Sequence, residues 1–262
     1  MTSHRHISAR GVSRRAARCV AAVAGLVWAS TAVAQAPVHR FAVTTRAGGI
    51  NFERAASLNR SFLIGADAEY GLSKYFALGT AINVARPNTH AEDFTRLISY
   101  GLPASGGDTT YFYKVGQAVN LVEAAFTGTA RAPLGRLSPY VTGGAGIYGA
   151  FLDAQKNNGP RRFGGLSTQL GGGVAYAFSN RAGVQLDVRD VMLHQYRQNR
   201  LDPSHGRNVN TIFPDFAATP PAPKNMVNSI GYSIGFRYVP VFLNAGTGDP
   251  DDRILNPNGG AQ

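Results

Sequence analysis

Few residues in this chain have the types and spacing that chemistry needs. Asp202, Ser204 and His205 gather an acid, a hydroxyl and a base in one short stretch. An acyl-transfer site needs those three types, with the base against the hydroxyl and the acid orienting the base. Neighbours in sequence rarely face one another in that way. His194 ends an alternating segment and is the better base by position, but no serine stands evidently opposite it. Gly144-Ala145-Gly146-Ile147-Tyr148-Gly149 fits G-x-G-x-x-G. That run cradles a phosphate only where it closes a strand and opens a helix. Here it lies inside one strand-like run, Tyr140 to Phe151, and Asn157-Asn158-Gly159-Pro160 follows as a loop. His39, His90, His194 and His205 lack the i, i+2 or i, i+4 spacing of metal pairs. The expectation is no catalytic set, no metal and no cofactor.

The elements that carry these residues are more informative. Segments of about 10 to 13 residues alternate small or polar residues with apolar ones, the period of a strand with two unlike faces. There are eight, near 39–50, 60–70, 75–85, 118–130, 139–151, 164–178, 181–193 and 227–238. In the second, Phe62, Ile64, Ala66, Ala68 and Tyr70 oppose Gly65, Asp67 and Glu69. In the eighth, Ile230, Tyr232, Ile234, Phe236 and Tyr238 oppose Ser229, Gly231, Ser233, Gly235 and Arg237. A helix, with its 3.6-residue period, would scramble both faces. Composition agrees: charged residues are 16%, against about 25% in soluble domains. Gly is 31 of 262 residues, well above the usual fraction of about 7%.

The first 34 residues read as a removable secretion signal. Arg5, Arg10, Arg14, Arg15 and Arg18 form a basic start, Cys19 to Ala29 is a short apolar run, and Ala32-Val33-Ala34 is an A-x-A cleavage site. The apolar run is too short for a membrane anchor, which needs about 20 residues. The Arg14-Arg15 pair invites a twin-arginine signal, but general secretion is the preferred reading. Cys19 precedes the apolar run, which argues against a lipoprotein. Cleavage removes five of 26 cations and none of the 15 acids, lowering the net charge from +11 to +6. It also removes the single Cys, so the mature chain has no disulfide. No basic stripe suggests nucleic acid.

Links between segments alternate in length. Those after segments two, four and six are short; those after one, three, five and seven are long. Short turns at one end and long loops at the other mark an outer-membrane barrel. Tyr70, Tyr75, Phe76, Tyr140, Tyr176, Phe178, Phe236 and Tyr238 cluster at the short-turn ends and form an expected aromatic girdle. Phe52, Phe62, Tyr148, Phe151 and Phe163 begin the opposite one. In the second long loop, Thr89-His90-Ala91-Glu92 is a capping box. Phe94, Leu97 and Ile98 follow at helical spacing, so an amphipathic helix is expected over 90–100. In the last long loop, Arg197, Arg200 and Arg207 could meet lipopolysaccharide phosphates.

With this order and spacing, residues 39–240 resemble the small eight-stranded outer-membrane barrels of the OmpA/OmpX type, the outer membrane protein β-barrel domain group. Ser138 to Gly146 is similar to that group's central strand, and Gly183 to Asp190 to its penultimate strand. Ser229, Gly231, Ile234 and Phe236 resemble its C-terminal assembly signal, which implies recognition by barrel-assembly machinery. The family usually ends at that aromatic; here 24 residues follow Tyr238. The expected domains are a cleaved signal over 1–34, a barrel over 39–240 and a disordered tail over 241–262.

The expected fold is all-β, an eight-stranded antiparallel up-and-down transmembrane barrel with short periplasmic turns and long outer loops. Its interior is just wide enough for side chains to fill. Arg46, Asp67, Glu69, Glu123, Asp187, Arg189 and Arg237 point inward and form an expected paired lumen network. Inward Gly65, Gly79, Gly171, Gly173, Gly231 and Gly235 relieve crowding. The expected partners are outer-membrane lipid, lipopolysaccharide and a surface partner of the outer loops. The expected role is structural or surface interaction in the bacterial outer membrane, not enzymatic. The alternatives are a narrow channel for small or hydrophobic solutes and a lipid-modifying enzyme. A soluble lipocalin-like barrel is the structural rival, because alternation alone does not say which face is inside.

Overall fold

Ten strands are present in the computed structural model, which describes residues 39–101, 108–114, 116–152, 161–202 and 220–240. They are β1 (Phe41–Phe52), β2 (Ser61–Gly71), β3 (Phe76–Ala85), β4 (Thr95–Gly101), β5 (Asp108–Lys114), β6 (Val119–Arg131), β7 (Leu137–Leu152), β8 (Arg161–Ala177), β9 (Ala182–His194) and β10 (Met226–Tyr238). Eight of them close a barrel in the order β1-β10-β9-β8-β7-β6-β3-β2, and β1 pairs with β2 to finish the circle. Every ladder is antiparallel. These eight strands follow the alternating segments read from the sequence. The expected signal and tail lie outside the described residues.

The two faces settle what surrounds the barrel. Phe62, Ile64, Phe126, Val141, Leu170, Leu186 and Ile234 are all more than half exposed on the outside. Thr44, Arg46, Asp67, Asn83, Glu123, Asp187 and Arg189 are buried inside. Water would penalise the first set and leave the second without reason. A hydrocarbon exterior suits both, since a closed barrel leaves no backbone group unpaired in lipid. That overturns the soluble, ligand-carrying alternative. Ser229 and Gly231 of the last strand face inward, and Ile234 and Phe236 face the lipid.

Short turns close one end by local hydrogen bonds. Ser73 Oγ accepts from the N–H groups of Tyr75 and Phe76, at 3.1 Å each. Ser179 Oγ does the same for Arg181 and Ala182, at 3.2 and 3.1 Å. Serine at these positions mimics a backbone turn and fixes the hairpin register.

Three expectations fail. Residues 90–100 are not a helix: a single 3-10 turn, Ala91–Asp93, is followed by β4, which pairs with β5 as a separate hairpin. The capping box is dismantled by its surroundings. Thr89 Oγ1 accepts from the Gln117 N–H at 2.9 Å, and Glu92 reaches Arg54 at 3.5 Å. The facing segment, Asp-Thr-Thr-Tyr-Phe-Tyr-Lys over 108–114, is rich in strand-forming types. Tyr140 leaves the lower girdle and turns inward, where its hydroxyl meets Asp187. Tyr148 and Phe163 leave the upper girdle for the interior and are almost fully buried. Phe52 is half-buried and packs on that interior cluster, whereas Phe62 and Phe151 face outward. The lower girdle otherwise stands, with Phe41 against Tyr70 at 4.9 Å between centroids and Tyr176 against Phe178 at 5.5 Å.

Candidate functional site

The barrel interior is layered, and its middle layer holds the charges. β1 contributes Arg46, β2 contributes Asp67, and β9 contributes Asp187 and Arg189. Alternation turns all four inward. Arg189 Nε donates to Asp187 Oδ1 at 2.8 Å, and its Nη2 donates to Asp67 Oδ2 at 3.1 Å. Arg46 Nε lies 2.9 Å from Asp67 Oδ2, and its Nη1 donates to Asp187 Oδ1 at 3.5 Å. Each guanidinium is thus shared by both carboxylates. Tyr140 donates to Asp187 Oδ2 at 2.6 Å, and Gln169 accepts from Arg189 at 3.4 Å.

Glu123 joins through an intermediary. Arg46 Nη2 donates to Asn83 Oδ1 at 2.6 Å, and Asn83 Nδ2 donates to Glu123 Oε2 at 2.9 Å. Glu69 and Arg237 do not reach this layer. They sit below it with Arg131, whose Nη2 donates to Glu69 Oε2 at 2.7 Å; Arg237 Nη2 stands 3.8 Å from the same oxygen. Close backbone approach makes room for the layer. A Cβ on Gly65 would lie 2.5 Å from Asn83 Oδ1, and one on Gly171 would lie 2.6 Å from Arg189 Cγ.

Buried ions on this scale persist only if each is compensated. Removing one partner of such a pair costs about 3–5 kcal/mol, because the other charge is left alone. Arginine stays protonated in proteins, and Arg46 and Arg189 hold both aspartates, while Glu123 bonds Asn83 through Oε2 and leaves Oε1 buried without a partner, so the layer is closely but not fully paired. What it does physically is fill the lumen.

Above it lies an apolar layer of Leu121, Leu152, Phe163, Val191, Leu193 and Val227. Loop residues are built into its top. Tyr196 stacks edge-on against Phe163 at 5.4 Å and donates to Ala56 O at 2.8 Å. Gln198 Nε2 donates to Ser57 Oγ at 2.6 Å. Arg161 donates to Leu201 O at 3.1 Å and also bonds Gln117 Oε1. Arg54 grips the fully buried Asp93 with two bonds of 2.5 Å. Burial opposes ionisation of Asp93, but the Arg54 fork and Ser57 outweigh it and hold the carboxyl below its usual value. Asp93 in turn raises Arg54. Lys224 bonds Glu53 and lowers it.

The remaining candidates scatter. Gly144 to Gly149 lies within β7, and no helix opens after it. His39, His90 and His194 sit apart; Ser204 and His205 lie outside the described residues. Among the described residues, no group of His, Cys, Asp or Glu is placed to hold a metal ion. The sequence reading missed Asn83, Arg131 and Gln169. All three share the inward parity of residues it did choose, so the signal was present. Tyr140 had no such signal, since an aromatic at a strand end suits a girdle equally well.

Residues 19–210 match the family model described as outer membrane protein beta-barrel domain. Among curated proteins, no relative matches the chain. Solved structures with a similar outline include Neisserial surface protein A, at 14% identity and a TM-score of 0.48, covering 76% of this chain and 96% of that one. Ail, the attachment invasion locus protein of Yersinia pestis, is 9% identical with a TM-score of 0.38, covering 77% and 100%. OprG of Pseudomonas aeruginosa is 11% identical with a TM-score of 0.35, covering 79% and 98%. The family rests on the family model and not on these outlines.

Proposed function

Because the chain belongs to the outer membrane protein beta-barrel domain family, we propose that it is a plugged outer-membrane platform whose working surface is its long outer loops. The observation that supports this reading is the filled lumen: an ion-paired layer under an apolar one, with loop residues hydrogen-bonded over the top. A cleaved signal over residues 1–34 delivers it, the barrel-assembly machinery reads its last strand, and lipopolysaccharide and a surface partner meet the loops. A rigid mount lowers the ordering cost when a loop binds.

Orientation and role can be tested together. Cleavage of the leader leaves no native Cys, so single cysteines report cleanly. An impermeant maleimide on intact cells should label Arg60→Cys, in a long loop, and spare Lys74→Cys, in a short turn. The reverse pattern would put the loops on the periplasmic side and end the surface reading. Purified barrel in a planar bilayer should carry no steady current. A stable conductance would favour the narrow channel instead.

One observation favours a second reading, an enzyme that cleaves lipid esters. On the lipid-facing side of β8 and β9, His194 Nε2 and Thr168 Oγ1 lie 2.9 Å apart, within hydrogen-bond reach. Asp190 shares that outward register, and its Oδ1 is buried without a hydrogen-bond partner. Such a site would use Thr168 as nucleophile and His194 as base. His194→Ala should then abolish fatty-acid release from outer-membrane lipid, and unchanged release would remove this reading.

A further inference from the structure

The periplasmic end of the barrel is electrostatically lopsided. Two adjoining recesses open there, sharing Ser138, Ala175 and Arg237 in their walls. Glu69 is the one acid among the residues that line them, against Arg131 and Arg237 inside and Arg136 and Arg181 at the rim. Small residues of β8 and β9, Ala175, Ala177 and Gly183, line the wider recess, and Gly183 is the ladder partner of Arg237.

Donors here are under-used. The Arg131 side chain is 8% exposed, spends Nη2 on Glu69, and leaves Nε without a partner. Arg237 meets Glu69 only at 3.8 Å, and its Nε is also buried without a partner. Ser138 Oγ is a third buried group with none. Three unpaired donors around a recess with excess positive charge are costly as they stand, because buried polar groups are nearly always satisfied. An anion with several acceptor oxygens would satisfy all three at once.

We propose that Arg131, Arg237 and Ser138 form an anion-binding site at the periplasmic mouth, built for a carboxylate or phosphate group. Two sources carry that chemistry. One is a soluble periplasmic anion. The other is this chain, whose sequence past Pro240 contains Asp249, Asp251 and Asp252. The site belongs to the base of the barrel whatever the outer loops bind.

The test uses the mature protein, 15N-labelled and folded in detergent, with the arginine Nε–H resonances followed during titration with inorganic phosphate. Heat-modifiable mobility checks that each variant is folded. If the source is soluble, phosphate shifts the Arg131 and Arg237 signals saturably. Arg237→Gln then weakens binding roughly tenfold or more, as loss of a charge-assisted bond should, and Ser138→Ala, which leaves the ion pair intact, weakens it less. If the chain's own carboxylates fill the site, the native protein ignores phosphate. The Asp249→Asn/Asp251→Asn/Asp252→Asn variant then shows displaced signals and gains the phosphate response. No saturable shift in either folded form would overturn the proposal. So would equal phosphate affinity in the native, Arg237→Gln and Ser138→Ala proteins.

Discussion

The charged middle of the barrel and the apolar layer above it fill the same lumen by opposite means. In the middle, Arg46, Asp67, Asp187 and Arg189 are held at hydrogen-bond distances, and each depends on two partners. Above, Leu193, Val119 and Val227 are almost wholly buried and held by shape alone. The difference is one of tolerance. An ion network fails when a single member leaves, because the remaining charge stays buried. A packed layer loses only the removed atoms and the cavity they leave.

That contrast should appear most strongly at Asp187. Replacing it with Ala leaves Arg46 and Arg189 to share Asp67 and removes the 2.6 Å partner of the Tyr140 hydroxyl, and should cost about 3–5 kcal/mol in reversible urea unfolding from lipid vesicles. Replacing Asp187 and Arg189 together with leucines should recover much of that loss. If the single variant is as stable as native, the ion pairs do not hold the middle. In the upper layer, Leu193→Ala should cost about 2–4 kcal/mol by the same assay. A loss larger than that of Asp187→Ala would reverse the comparison.

The smallest effect lies at the Arg54–Asp93 latch over the barrel mouth. The Asp93 carboxyl is held below its unfolded value, so its stabilising contribution is present above the ordinary aspartate range. It is lost as pH falls through the lowered folded value. Acid below about pH 3.9 should therefore loosen the segment around residues 54–58. Hydrogen exchange there should rise at low pH in the native chain and be already raised, with less pH dependence, in Asp93→Asn. Identical profiles would mean that the latch carries no stability.

Much of the barrel was legible because its signal is local. Alternation at period two marked the eight strands and the inward face of the seven lumen charges from Arg46 to Arg237. Turn composition marked the short-turn end, where Ser73 and Ser179 act within their own hairpins. The second long loop was misread for the complementary reason. Thr89 and Glu92 have the spacing of a helix start, but their partners come from Gln117 and Arg54. No window around residue 90 contains those partners.

The same division separates the inward charges from their pairing. Residue order alone sets which positions face the lumen, because pleating sends every second residue inward once a strand exists. It did not determine that Arg46 meets Asp187 across 141 residues, that Glu123 is reached only through Asn83, or that Glu69 and Arg237 drop to a separate level with Arg131. Tyr148 and Phe163 illustrate the same limit, since an aromatic at a strand end serves a girdle or a core equally well. Those outcomes were decided by lateral register around a closed circle of strands. Height in the barrel depends on the tilt and stagger of all eight strands, which closure sets and no single segment encodes.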